Sequence, residues 1–274
     1  MGTLAGNYYG GIVKDGLVLM LDAAKKDSYD RLGTTWRDIS WNGKNGSLNN
    51  FSPQTRWNEN NNGSIVMDGT NDFISFPGNT FSYSPGTTGE ITLEMWVYPT
   101  GPYTSYTSEP PLTNLGCLFG QSYANSSRGW GVSIGTAGGV NYFNWQVRSF
   151  GNVVFIGNTT TTNFTNNSWY HIVCTFTRND FIRIYINGTL RSSGSTVSLN
   201  GVDVTPNLND AAIGVGGISS FYTGARVSIA RIYNKPLSIS EVLQNYNATK
   251  GRYNNLWRDT YTWSDTNTWQ DQPI

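Results

Sequence analysis

The chain has 274 residues, no net charge, and only 13% charged residues. This balance excludes a surface steered towards nucleic acid or anionic membrane, while the length suffices to bury a large core without staples. Abundant Gly, Asn, Ser and Thr, with 14% aromatic residues, suit short strands joined by many turns.

The N-terminal segment MGTLAGNYYGGIVKDG has no basic stretch followed by an apolar core, so no signal peptide is expected. No run reaches the roughly eighteen apolar residues of a membrane helix. Period-two patterns predict strands near 16–22, 64–68 and 72–76. Between the last two lies Asp68-Gly69-Thr70-Asn71-Asp72. Asp68 and Asp72 offer hard oxygen ligands suited to calcium; the same residue types also make a turn's own hydrogen bonds, and weak or no dependence of folding on calcium is expected.

In 91–98, Ile91, Leu93, Met95 and Val97 share one face, and Thr92, Glu94, Trp96 and Tyr98 the other. Residues 100–115, with three prolines and several Tyr, Ser and Thr, read as a long surface loop. Strands follow near 130–134 and 142–149. In the latter, Phe143, Trp145 and Val147 point one way, and Tyr142, Asn144, Gln146 and Arg148 the other. Further runs lie at 153–156, 169–177 and 226–233. Cys117 and Cys174 each sit in an apolar run and read as small buried hydrophobes, with one disulfide open to them if their strands are neighbours. His171 is the only histidine, which excludes His-based metal clusters and weakens any triad. Residues 181–186 run into Asn187-Gly188, the sequence of a type I′ hairpin turn, with Ile182, Ile184 and Ile186 inward and Arg183 and Tyr185 outward. One helix is predicted, from the capping box Ser238-Ile239-Ser240-Glu241 into Val242, Leu243 and Tyr246.

The tail begins a hexad three times: WRDTYT, WSDTNT, WQDQPI. Trp257, Trp263 and Trp269 recur every six residues, as do Asp259, Asp265 and Asp271. An extended tail would present the tryptophans on one side, either against its own sandwich or as an arm docked on another subunit.

Four segments in order carry a family resemblance. They are DGLVLMLDAA from Asp15, TWRDIS from Thr35 through Asn45-Gly46, GSIVMDGTNDF from Gly63, and ARIYNKPLS from Ala230 through Glu241 and Tyr246. Together they resemble the laminin G-like, concanavalin A-like jelly-roll domains of tailed-bacteriophage virion proteins. The resemblance implies an all-β antiparallel sandwich over 15–250 with one short C-terminal helix, flanked by arms at 1–14 and 251–274. That family pattern usually has Gly where this chain has Trp41, so an altered turn is expected after Ser40.

Glucanases of this fold pair an acid and a nucleophile on one strand. Here the strand at 91–98 carries Glu94 alone, with Glu90 in the preceding turn, so no catalytic residues are expected. The outward residues Glu94, Trp96, Tyr98, Tyr142, Asn144, Gln146, Arg148, Arg183 and Tyr185 offer a polar-aromatic face for a glycan. The resulting expectation is a non-enzymatic virion structural or decoration protein, oligomeric and bound to other particle subunits through its arms. The alternative is a carbohydrate-binding module for cell-surface glycans, with a glucanase the remote third. Neither reading needs a cofactor, nucleic acid or membrane insertion.

Overall fold

The computed structural model describes residues 11–76, 85–103, 114–121, 128–149, 153–157, 161–206, 211–216 and 222–253. The period-two segments form two antiparallel sheets. The first orders its strands Thr189–Ser195, Phe181–Ile186, Tyr170–Phe176, Ile91–Tyr103, Thr223–Tyr233, Ser64–Asp68 and Trp57–Asn58, with Leu17–Asp22 also paired to Thr223–Tyr233. The second runs Val153–Gly157, Val140–Arg148, Gly129–Ala137, Asn114–Gln121, Ala211–Ile213, Phe73–Phe76, Gly46–Asn49 and Thr35–Trp36, with Asn163–Phe164 on Val140–Arg148.

The sheets face each other across one core. Ile91, Leu93, Met95 and Val97 meet Phe143, Trp145 and Val147 there, beside Ile182, Ile184 and Ile186. Alternation sends these residues inward from each strand. The Trp145 indole donates to the Thr175 carbonyl of the opposite sheet at 3.1 Å, so burying it leaves no orphan donor. At the predicted hairpin Ile186 pairs with Thr189. Asn187 and Gly188 take φ of 52° and 77°, the two positive angles a type I′ turn requires. Cys117 and Cys174 are buried free thiols, one in each sheet, and burial pushes both above the usual thiol range.

The helix spans Ile239–Thr249 and starts with the expected reciprocal cap: Ser238 Oγ accepts from Glu241 N–H, and the Glu241 carboxylate from Ser238 N–H. It lies on the outer face of the first sheet, where Val242 packs with Val173, Tyr185, Tyr233 and Leu237. The first sheet is therefore covered on both sides.

Two expectations need correcting. The strand from Ile91 continues to Tyr103, so only part of 100–115 lies beyond it; residues 104–113 are outside the described residues. Residues 11–14 are no free arm, because Ile12 and Val13 are buried and Val13 packs beside the helix. Among the described residues no helix is long and apolar enough to cross a membrane.

Candidate functional site

Glu94 stands directly opposite Arg231 in the sheet, on the face that the helix covers. Its Oε1 accepts from Arg231 Nη1 at 2.5 Å and from His171 Nε2 at 2.9 Å. Its Oε2 accepts from Asn245 Nδ2 at 2.7 Å and from the Tyr233 hydroxyl at 3.4 Å. Asn245 also accepts the Val13 N–H at 2.7 Å, tying helix, N-terminal segment and sheet to one carboxylate. Glu94 is 0% exposed. Burial alone would raise its pKa; Arg231 first and His171 next outweigh that and hold it at about 2. A carboxylate so enclosed acts as the internal counter-charge of Arg231.

The nine residues expected to meet a glycan do not form one surface. Glu94, Trp96, Tyr98, Arg183 and Tyr185 belong to the first sheet, and Tyr142, Asn144, Gln146 and Arg148 to the second. Trp96 is buried, stacked 3.8 Å from Tyr253, and its indole donates to Thr249 Oγ1 at 2.8 Å. Tyr185, Asn144, Gln146 and Arg148 are buried too, leaving Tyr98, Tyr142 and Arg183 half-buried. On the first sheet's outer face Trp96 seats the helix, because its ring meets Tyr246 and Tyr253 and not solvent.

Asp68 and Asp72 sit at the turn that carries the chain from Ser64–Asp68 in the first sheet to Phe73–Phe76 in the second. Asp68 Oδ1 accepts from the N–H groups of Thr70, Asn71 and Asp72, and Asp72 Oδ2 from that of Asp68. Both carboxylates thus bind the turn's own backbone. Trp257, Trp263, Trp269, Asp259, Asp265 and Asp271 lie outside the described residues.

A more exposed constellation lies along the Leu17–Asp22 strand. Asp38, in the TWRDIS segment, accepts from Met20 N–H at 3.0 Å and Ser40 N–H at 2.9 Å with one oxygen, and from Lys44 N–H at 3.1 Å with the other. This clamp holds the following turn against the strand and leaves Trp41 90% exposed with φ of 71°. The altered turn expected at this position keeps a glycine-like backbone under a tryptophan. Arg31 repeats the pattern: φ is 72°, and the Asp30 carboxylate fixes the turn by accepting from Leu32 and Gly33 N–H. Every other described non-glycine residue at positive φ is Asn, which tolerates that conformation where Arg and Trp do not.

These two residues line neighbouring cavities. Trp41 borders a groove of about 240 Å³ with the apolar Ile12, Leu17, Met20 and Ile39 and the polar Lys14 and Ser40. Ile12 and Met20 also line a larger pocket of about 560 Å³, into which Asp22, Lys25, Arg31, Glu59, Arg231 and Arg252 bring their charges. Arg252 grips both Asp22 oxygens at 3.0 Å. The groove thus sets an exposed indole among mostly apolar side chains, and the neighbouring pocket is densely charged. Sequence reading passed over Arg31 and Arg252, and saw Asp22 and Arg231 only as motif letters. Trp41 alone gave a signal, as the departure from glycine.

Two antiparallel sheets around one core, with a helix closing the outer face of one, define a concanavalin A-like jelly roll. The chain belongs to the concanavalin A-like lectin/glucanases superfamily, whose model matches residues 68–243. Among solved structures it is similar to the binding domain of Paraclostridial Mosquitocidal Protein 1, with a TM-score of 0.62 and 20% identity, covering 86% of this chain and 52% of that one. It is also similar to the Botulinum neurotoxin serotype G binding domain, with a TM-score of 0.58 and 20% identity over 84% of this chain and 50% of that one. The receptor binding domain of the botulinum neurotoxin C/D mosaic serotype gives a TM-score of 0.62 at 16% identity over 86% and 52%. The chain spans about half the length of these structures, and at such identities the likeness shows the fold. No curated protein matches the sequence.

Proposed function

We propose that this domain is a non-enzymatic binding module whose ligand is a cell-surface glycan, held along the groove from Trp41 to the charged pocket. The observation that carries the reading is the pair Trp41 and Arg31. Backbone strain in such residues persists only where surrounding structure enforces it, and it concentrates at binding and catalytic sites. Here Arg31 lines one cavity and Trp41 a neighbouring one that shares Ile12 and Met20 with it, and Trp41 presents its ring to solvent. An exposed indole beside hydrogen-bonding groups is the chemistry a sugar ring needs, an apolar face to stack on and polar atoms for its hydroxyls. Glu94, the lone carboxylate of the central strand, is consumed by the ion pair beneath the helix, which supports binding over hydrolysis. The similar structures are described as binding or receptor binding domains, which agrees with this reading.

The test is a glycan array probed with the full chain and with Trp41→Gly. Retention of one glycan class by the native chain and its loss in the variant, with melting unchanged or improved, is expected. Hits that survive Trp41→Gly would place the ligand elsewhere, and a blank array would remove the glycan reading.

A second reading concerns where the module is carried. The tryptophans at 257, 263 and 269, one per hexad, support a C-terminal arm that attaches it to other virion subunits. The bacteriophage resemblance of the four sequence segments points the same way. The two readings are compatible, since a particle-borne module can also bind a host surface.

A further inference from the structure

The first sheet is bordered on one side by Thr189–Ser195, a strand of seven residues, and on the other by Trp57–Asn58, a strand of two. No residue of Thr189–Ser195 is buried. Among the described residues no further strand pairs with it; beyond its bonds to Phe181–Ile186, the Arg191 carbonyl accepts from the Thr161 hydroxyl at 2.6 Å. A long open border is a template for another strand, and proteins usually blunt it with prolines, charges or a bulge. Here the sequence TLRSSGS has no proline and a single charge, Arg191. The bulge falls at that same residue, because Ile184 pairs with Ser192 and Tyr185 with Leu190, so Ser192–Ser195 stays regular. Exposed apolar side chains gather along this border. Leu190 lies opposite Tyr185, which packs with Val242 of the helix. The helix sends out Ile239 and Leu243, one turn apart, with Leu243 beside Gly188 of the hairpin. Phe181, opposite Ser195, is likewise 40% exposed. Apolar groups concentrated on one part of a surface mark a contact site.

We propose that Thr189–Ser195 pairs with the same strand of a second copy, antiparallel about a two-fold axis at Ser193, so that the first sheet runs on through both molecules. The strand suits its own reverse. A two-fold axis makes one patch serve both partners, and it keeps both helices on the same face of the joined sheet, so residues directly opposite must point the same way. With the axis at Ser193, Ser193 faces its own copy on the helix side. Ser192 faces Gly194 on the core side, where Gly194 lies against Ile156 and Ile182. These small side chains let the backbones approach. The two Arg191 side chains are kept four positions, roughly 14 Å, apart along the strands, beyond the screening length of physiological salt. Leu190 and Leu243 of both copies come onto one face. The Trp41 groove lies beside Leu17–Asp22, across Thr223–Tyr233 from this border, so each copy keeps its groove open. Two grooves on one particle raise avidity for a multivalent surface without any new contact. The proposal does not depend on what the groove binds.

Sedimentation velocity of the full chain over a range of concentrations tests this, with Ser193→Glu and Ser193→Ala alongside. The native chain and Ser193→Ala are expected to reach twice the mass of one chain. Ser193→Glu is expected to stay at the mass of one chain, because it sets like charges directly opposite across the axis. Within its own sheet that carboxylate lies opposite Arg183, which accommodates it, and thermal melting checks that both variants fold. Hydrogen exchange on the native chain gives a reading free of any substitution: the amides of residues 189–195 should slow as concentration rises, and those of Trp57–Asn58 should not. A native chain that stays single at every concentration overturns the proposal. So does a dimer that survives Ser193→Glu while exchange at 189–195 ignores concentration, which would place the contact elsewhere. Neither result alters the outcome of the glycan array.

Discussion

Trp41 and Arg31 occupy backbone positions where glycine would rest without strain. A left-handed non-glycine residue costs about 1–2 kcal/mol. Introducing glycine returns part of that through the greater freedom of the unfolded chain, about 0.4–1 kcal/mol. Trp41→Gly is therefore expected to raise stability by about 0.5 kcal/mol while removing the exposed ring, and chemical denaturation measures the first effect. A destabilised variant would mean that the indole is a packing group after all. Glu94 makes the opposite case. Replacing it with Gln leaves Arg231 buried without its counter-charge, a change of the kind that costs about 3–5 kcal/mol. Its acid sensitivity has a definite sign. The folded pKa, about 2, lies below the ordinary 4.5, so the stabilisation is complete above pH 4.5. It is lost as pH falls towards 2. At about 1.4 kcal/mol per unit this is about 3 kcal/mol. Melting temperature should drop steeply across that window, and Glu94→Gln should flatten the drop. An unchanged slope in the variant would show that other carboxylates control acid unfolding.

At the scale of elements, the helix Ile239–Thr249 is the piece on which most depends. Ser238→Ala removes a cap worth about 1 kcal/mol, whereas Trp96→Ala removes the ring on which Tyr253 and Tyr246 stack and is expected to cost about 3–5 kcal/mol. The shifts in denaturation midpoint for the two should differ severalfold; equal losses would mean the helix docks by its ends alone. Local signals were legible in the sequence. Alternation in 91–98 and 142–149 sorted the core residues, Asn187-Gly188 marked the hairpin, and Ser238 with Glu241 marked the helix start. What alternation cannot say is what lies over each face. The outward side of 91–98 reads as polar and aromatic whether water or a helix covers it, and nothing local to Trp96 names its partners at 249 and 253, some 150 residues away. Nor can period two assign strands to sheets, which is why residues 94–98 and 142–148 were combined into one surface that the fold divides. The pocket was illegible for the same reason: Asp22, Arg31, Arg231 and Arg252 are brought together only by strand pairing and the turn after the helix. Trp41 could be found because a family expectation of glycine was broken there.

For the whole molecule, family membership fixes the jelly roll and leaves function to the residues that line it. The tail after Tyr253 carries the reading of a particle-bound module. Burial of each aromatic side chain contributes roughly 1.5–3 kcal/mol, so three tryptophans on one side could offset much of the entropy of ordering an arm. Removing residues 254–274 is expected to leave the melting temperature within a few degrees and to abolish attachment to partner subunits in a co-sedimentation assay. A large loss of stability in the isolated chain would instead show the tail packed on its own sandwich.

The central claim is that a glycan lies between Trp41 and Arg31. The most direct measurement follows the indole N–H signals of the ¹⁵N-labelled chain during titration with the saccharide retained on the array. The account predicts saturable shifts at Trp41 and at Trp57, beneath Arg31, with the core residues Trp36, Trp130 and Trp145 unmoved. Saturable shifts elsewhere, with Trp41 and Trp57 unchanged, would contradict it.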